Sequence, residues 1–224
     1  MATDSKDALH AKTLAWVSAA LLIATFASIA VVDRPLALFI ANQLDGVTRA
    51  AGAFTIALEW IFAFDLSKYF YAFLLLLIGV GFHVVQRSMA RARYFYFVGT
   101  TLLLSRVISG TLKNVFERVR PFEWIKSRAP ADFFVDGGSS FPSGHAAFYF
   151  GLFLPLAIIF PRHKWLFLAF AFVAALARVF DVDHYLSDIL ASAFVAVLLA
   201  FGLAKALRIS SIANGGAAPR DGAY

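Results

Sequence analysis

The chain has 224 residues, of which 61% are hydrophobic and only 15% are charged, and its formal net charge is +6. This composition is far more apolar than that of a soluble globular domain. It therefore excludes a soluble domain and indicates an integral membrane protein. The positive charge does not indicate a nucleic acid partner, because the basic residues are scattered between apolar runs, as in many membrane proteins. The absence of cysteine excludes disulfides, thiolate catalysis and cysteine metal sites.

The N-terminal part contains one long apolar run and two short ones. Residues 13–32 are apolar over a length of about 20 residues, which is too long for a signal-peptide core and suits a membrane anchor that is not cleaved. Residues 36–44 and 51–64 are each too short to cross a bilayer, and the polar segment around Asp45 separates them. We therefore expect short interfacial helices between the first and second spans.

Five further apolar runs predict transmembrane helices, and they cover residues 69–85, 94–115, 143–160, 165–180 and 188–206. Together with the first run, they predict an all-α integral membrane protein, a six-transmembrane helix bundle. The single membrane-embedded domain covers residues 1–208. The tail, residues 209–224, is rich in glycine and is predicted to be disordered.

Basic residues distinguish the two ends of this predicted bundle. One end carries the basic connections that contain Arg87, Arg91, Arg93, Arg162, Lys164, Lys205 and Arg208. The positive-inside rule assigns that end to the cytoplasm. The opposite end, with segments 113–145 and 178–188, then faces the periplasm if the protein lies in a bacterial inner membrane, as its small size and short connections indicate.

Polar residues that suit a phosphate group lie in three segments at this opposite end. They are Lys113, Arg120, Ser143, Gly144, His145, Arg178, His184 and Asp188. Lysine and arginine side chains bind phosphate oxygens, and the first turn of a helix attracts anions. A structural interpretation of each single residue is available, such as a snorkelling cation or a helix cap, but the convergence of charged residues near a membrane indicates function.

Two histidines among these residues suit acid–base and nucleophilic chemistry. If the last helix begins near His184, then His184 and Asp188 lie at positions i and i+4 on one face. The carboxylate would then hold one imidazole nitrogen and leave the other free to attack, and His145 would serve as a general acid. An anion transporter or channel remains an alternative, although it predicts charges along the spans rather than at one end.

The three segments together resemble the ordered motifs of the type 2 phosphatidic acid phosphatase family, the lipid phosphate phosphatases. Lys113 followed by Arg120-Pro121 is similar to the first motif, and Pro142-Ser143-Gly144-His145 is similar to the second. The third motif is matched by Arg178, His184 and Asp188 at the family's spacing.

The resemblance implies a phosphatase without a metal or other cofactor that works through a phosphohistidine intermediate. In such a reaction His184 attacks phosphorus, Asp188 orients it, and His145 protonates the leaving group and then activates water. The phosphoryl oxygens would be bound by Lys113, Arg120, Ser143, Gly144 and Arg178.

The implied partners are the lipid bilayer and a membrane lipid substrate, with no nucleic acid and no metal. The implied substrates are phosphate monoesters or diphosphates of lipids at the periplasmic leaflet. Phosphatidic acid, phosphatidylglycerol phosphate, undecaprenyl diphosphate and lipid A are the candidates. A phosphotransferase that passes the phosphoryl group to another lipid would use the same residues, so the sequence leaves that alternative open, as it does the oligomeric state.

Three departures from the family pattern surround the third motif. Ala177 stands where the family usually has serine, and Leu186 stands where many bacterial members have proline. Asp181 and Asp183 place two additional carboxylates beside the predicted nucleophile. Because bare carboxylates repel phosphate, we expect them to cap the last helix, to pair with a loop arginine, or to contact a cationic part of the substrate.

Overall fold

The computed structural model describes residues 2–64, 66–127, 134 and 137–209, and in these ranges every regular element is helical. In chain order the α-helices are α1 (Ala2–Ala27), α2 (Asp33–Gln43), α3 (Asp45–Ile61), α4 (Phe70–Val84), α5 (Met89–Phe116), α6 (Pro121–Ser127), α7 (Gly144–Ile159), α8 (Lys164–Phe180) and α9 (Leu186–Ala206). A π-helical stretch, Ser28–Val32, joins α1 to α2, and a 3-10 turn, Pro161–His163, joins α7 to α8.

Four helical stretches in the described part of the chain are long and apolar enough to cross a membrane: Lys12–Gln43, Met89–Ser127, Pro161–Phe180 and Leu186–Ala206. Helices α4 and α7 are also apolar, but with 15 and 16 residues they are shorter than the about 20 residues of a typical crossing. The all-α membrane class is thus confirmed. The crossings by α4 and α7, and hence the count of six, stay a prediction.

Helices α5, α7 and α9 pack against one another and form the centre of the bundle. Around them, α4 packs on α5, α8 on α7 and α1 on α9, while α3 lies against α8. The outward faces expose large apolar side chains such as Trp16, Leu77 and Trp165, each more than 60% exposed. Apolar surface of this extent suits contact with lipid tails rather than water.

Helix α7 is buried along most of its length, and a close approach to α5 makes this possible. Gly151 faces α5, and a Cβ atom placed there would lie only 3.0 Å from the side chain of Ser105. This contact, together with the packing on α8 and α9, holds the N-terminal end of α7 in the middle of the bundle. The segment that the sequence singles out, residues 143–145, therefore lies at one end of the bundle and close to its central axis.

The N-terminal region differs from the prediction at its polar boundary. The sequence ends the first span at residue 32, but the helical path continues through the π-helical stretch and α2 to Gln43. Asp33 does not lie in an exposed turn; it is only 1% exposed and accepts a hydrogen bond of 2.6 Å from the Ser28 hydroxyl. A buried and paired aspartate does not end a helix in the way that a solvated one does.

The connection between the predicted spans 94–115 and 143–160 contains one short helix, α6, while residues 128–133, 135 and 136 lie outside the described residues. The predicted disordered tail also lies outside them from residue 210 onwards.

Candidate active site

All eight residues predicted from the sequence lie at one end of the bundle, where helices of opposite direction meet. The C-terminal ends of α5 and α8 bring Lys113 and Arg178, and the N-terminal ends of α7 and α9 bring His145 and Asp188. Arg120 lies directly before α6. Neighbouring antiparallel helices therefore assemble residues that are up to 75 positions apart in the sequence.

His184 and Asp188 form a buried pair, with His184 Nδ1 at 3.2 Å from Asp188 Oδ2. Helix α9 begins at Leu186 rather than near His184. The Asp188 side chain also accepts a hydrogen bond of 2.9 Å from the backbone amide of Tyr185, directly before the helix. The predicted pairing is therefore present although His184 precedes the helix. Since Asp188 accepts the Nδ1 proton, the lone pair lies on Nε2.

Burial controls the protonation of this histidine. Desolvation lowers the pKa of His184 to about 4, and the hydrogen bond to Asp188 opposes this shift only in part. The imidazole is therefore neutral at pH 7, with an unprotonated nitrogen that can act as a nucleophile.

Asp183 bridges the two arginines that the sequence assigns to phosphate. Arg120 Nη1 donates to Asp183 Oδ1, and Arg178 Nη2 donates to Asp183 Oδ2. The same carboxylate lies 3.7 Å from His184 Nε2. Burial alone would raise the pKa of Asp183, but its electrostatic interactions with His184, Arg178 and Arg120 outweigh this effect and lower the pKa. The structure thus places an anion between both arginines and beside the free histidine nitrogen.

Asp181 is the second of the two additional carboxylates. It accepts from Arg178 Nη1 at 2.8 Å and from the Thr55 hydroxyl at 3.2 Å. Of the three roles expected for Asp181 and Asp183, pairing with arginine is the one present here. The amides of Tyr185 and Ser187 at the start of α9 donate instead to Asp188 and Asp33.

The loop before α7 is fixed by hydrogen bonds to three predicted site residues. Lys113 Nζ donates to the backbone oxygen of Ser139, and the Ser143 hydroxyl accepts from the Ala146 amide at 3.3 Å as the cap of α7. The carbonyl oxygen of Gly144 accepts from Arg106. Lys113, Ser143 and Gly144 are thus brought together, while their binding of phosphate stays a prediction.

His145 has a carboxylate partner that sequence reasoning missed. Its Nε2 lies 2.8 Å from Glu59 Oε1 of α3, and its ring stacks on Phe64 with centroids 4.8 Å apart. The hydrogen bond to His145 lowers the pKa of Glu59, and burial opposes this shift. Both predicted catalytic histidines therefore contact a carboxylate.

The sequence profile described as the PAP2 superfamily matches residues 94–210, more than half of the chain and all of the segment from Lys113 to Asp188. The chain belongs to the PAP2 superfamily. This confirms the resemblance that the three motifs indicate.

Relatives of this PAP2 chain include the lipid A 1-phosphatases of Rhizobium johnstonii and Rhizobium etli, each 34% identical over 129 residues. The matched region is 52% of this chain and 48% and 50% of the two relatives, respectively. The chain therefore spans about half the length of the curated relatives it matches. No solved structure matches it.

Sequence reasoning missed five residues that contact the candidate site: Asp33, Glu59, Arg106, Arg118 and Ser140. Their contacts reach across long distances in the chain, such as 85 residues between Asp33 and Arg118. For the four charged residues, the one signal available was charge within or beside apolar segments, which is uncommon and costly unless the charge is paired.

A tight backbone contact supports the loop of this PAP2 chain. A Cβ atom at Gly138 would lie 2.2 Å from the carbonyl oxygen of Arg118, whereas at Gly110 it would meet nothing within 4 Å. We expect Gly138→Ala to lower the free energy of unfolding by about 1–3 kcal/mol, because the backbone has to move. Thermal unfolding in detergent measures this, with Gly110→Ala as the matched control. A Gly138→Ala protein that unfolds at the parental temperature would contradict the contact.

Proposed function

We propose that the protein is a lipid phosphate phosphatase that cleaves a phosphate monoester or diphosphate through a phosphohistidine intermediate. The observation that carries this proposal is the position of Asp183. Its carboxylate lies between Arg120 and Arg178 and beside His184 Nε2, which is where a phosphoryl group would meet both its ligands and its nucleophile. PAP2 membership and the relatives' activity on a lipid phosphate support it.

Substrate binding begins when the phosphoryl group takes the place of Asp183. Arg120 and Arg178 then donate to phosphoryl oxygens in the bidentate manner that guanidinium groups favour. Lys113 adds a third positive charge, and the Gly144 amide at the start of α7 offers an N–H group. The cations stabilise the negative charge as it shifts between oxygens in the transition state.

The reaction then proceeds in two displacements at phosphorus. In the first, His184 Nε2 forms a bond to phosphorus, the bond to the leaving oxygen breaks, and His145 gives that oxygen a proton. Asp188 holds the Nδ1 proton of the ring, which is now positively charged. In the second, His145 takes a proton from water, the water oxygen attacks phosphorus, and His184 departs as inorganic phosphate forms.

The membrane arrangement that we propose has six crossings, with α4 and α7 as the two short ones. The connections that carry Arg87, Arg162 and Lys205 face the cytoplasm, which follows the positive-inside rule. The candidate site then faces the periplasm of a bacterial inner membrane. A lipid headgroup would enter sideways from the outer leaflet, and phosphate would leave into water.

The relatives' name makes the 1-phosphate of lipid A the first substrate to test. Phosphatidic acid, phosphatidylglycerol phosphate and undecaprenyl diphosphate complete the panel. We expect the detergent-purified protein to release phosphate from one or more of these lipids with EDTA present. Transfer to an added acceptor lipid in place of water would identify a phosphotransferase. No release and no transfer from any lipid would contradict the proposal.

The pKa of His184 gives a prediction for the pH dependence. Because burial lowers this pKa to about 4, the neutral, nucleophilic imidazole persists as the pH falls through the usual value of 6.5. We expect kcat/KM to show no loss from His184 protonation near pH 6.5 and to fall tenfold per pH unit only below about pH 4. Steady-state kinetics measures this, with unfolding temperatures recorded at each pH as a control. An acidic limb that His184 causes at pH 6.5 would contradict the buried, neutral histidine.

A further inference from the structure

A further arginine, Arg118, lies behind the His184–Asp188 pair and contacts two carboxylates. Its Nη1 is 2.6 Å from Asp188 Oδ1, and its Nη2 is 2.8 Å from Asp33 Oδ2. All three side chains are 0% exposed. Asp33 comes from the start of α2, outside residues 94–210 that the PAP2 profile matches.

Asp33 is held in place by more than its contact with Arg118. Its Oδ1 accepts from the Ser28 hydroxyl at 2.6 Å and from the Ser187 amide at 3.1 Å. Its Oδ2 accepts from the Ser187 hydroxyl at 2.5 Å, and that hydroxyl in turn accepts from Arg118 Nη1 at 2.6 Å. The aspartate is thereby fixed between the N-terminal helical stretch and the first turn of α9.

Asp188 has both of its oxygens engaged as a result. Oδ2 accepts from His184 Nδ1, from the Tyr185 amide and from the Ser140 hydroxyl at 2.5 Å. Oδ1 accepts from Arg118. A carboxylate fixed at both ends cannot rotate away from the imidazole when the ring becomes charged.

The charges of this cluster do not cancel. One guanidinium lies between two carboxylates, so one negative charge is left over in a buried environment where charge is costly. The neighbouring imidazole is neutral before the reaction and carries a positive charge in the phosphohistidine. Formation of the intermediate therefore neutralises the cluster.

We propose that Asp33 and Arg118 are positioning residues that hold Asp188 against His184 and leave one negative charge to stabilise the positively charged ring. This rests on the proposed phosphohistidine chemistry of the same site. Without the charge of Asp33, Arg118 and Asp188 neutralise each other, and this cluster no longer carries a net negative charge that could stabilise the ring. A purely structural role, in which Asp33 only caps α9 and pairs with Arg118, predicts no such effect on His184.

Two variants separate these roles because they change the net charge of the cluster differently. Asp33→Asn keeps the shape and the acceptor oxygen but removes a negative charge. The double variant Asp33→Asn/Arg118→Met removes the positive charge as well, so that Asp188 supplies one uncompensated negative charge, as the whole cluster does in the parent. Asp45→Asn, which is the same change at an exposed aspartate, is the matched control.

The experiment measures the pKa of His184 by nitrogen-15 NMR of histidine-labelled protein, assigned by the signal lost in His184→Ala. It also measures kcat and KM on the best lipid of the panel. Lys113 and Asp183, the other charged groups that act on His184, are unchanged in every variant.

For Asp33→Asn we expect the pKa of His184 to fall by about one unit and kcat to fall on the order of 10-fold with KM little changed. In the double variant we expect both to return towards the parental values.

The proposal is overturned if Asp33→Asn folds and leaves the His184 pKa and kcat unchanged. It is also overturned if the double variant has a His184 pKa well below that of the parent, a comparison that remains available even if the single variant does not fold. Should the parent hydrolyse no lipid, the phosphatase proposal fails, while the NMR measurement still decides the role of Asp33.

Discussion

Replacement of His184 by alanine should reduce kcat for phosphate release by about 10⁴-fold or more, because the variant lacks the group that forms the covalent intermediate. The remaining cations would still bind the lipid, so KM should change far less than kcat. Phosphate release from the best lipid of the panel, measured side by side with the parent, gives both constants.

The matched control is His163→Ala, since His163 is an exposed histidine in the turn between α7 and α8, far from the site along the bundle. It should retain parental activity. A His184→Ala protein that is folded and keeps more than about one tenth of the parental kcat would rule out His184 as the nucleophile.

Replacement of His145 by alanine should have an effect that depends on the leaving group. For a lipid whose leaving group is an alcohol, the loss of a general acid should lower kcat by about 10²- to 10⁴-fold. For 4-nitrophenyl phosphate the first displacement needs no proton donor, so nitrophenolate should form rapidly. The second displacement still lacks its base, and the phosphohistidine should therefore accumulate.

Rapid-mixing kinetics distinguishes these two steps. The His145→Ala variant should show a burst of nitrophenolate close to one equivalent per enzyme, followed by slow turnover. An equal loss on both kinds of substrate without any burst would show that His145 acts neither as the acid nor as the base of this reaction.

The sequence predicted the chemical groups of the candidate site more completely than the residues that hold these groups in position. The spacing of Arg178, His184 and Asp188 was informative because the connection between α8 and α9 is short, so nearby positions in the chain lie close in space. The position before the apolar run left Ser140 and Ser143 both open as the cap of α7, and the structure has Ser143 in that role.

The residues that hold these groups in position could not be predicted, because their contacts depend on packing between distant segments of the chain. Nothing in the segment around Glu59 indicates that α3 lies against α8 and reaches His145. Asp33 had the appearance of the polar end of a span, and only its burial against Arg118 shows otherwise. Apolar helix patterns predict which residues are helical, but they do not predict which helices are neighbours.

The contact of Asp183 with Arg120 and Arg178 has a consequence for product release. Inorganic phosphate, the last product, has to leave a site that carries three cations, and such a site would hold it tightly if the cations had no other partner. A tethered carboxylate is present at a high effective concentration and competes for the same guanidinium groups. At the end of each turnover, the Asp183 carboxylate can thus replace inorganic phosphate on the two arginines, so that the guanidinium groups are never left without an anion. The inhibition constant of inorganic phosphate measures this competition directly.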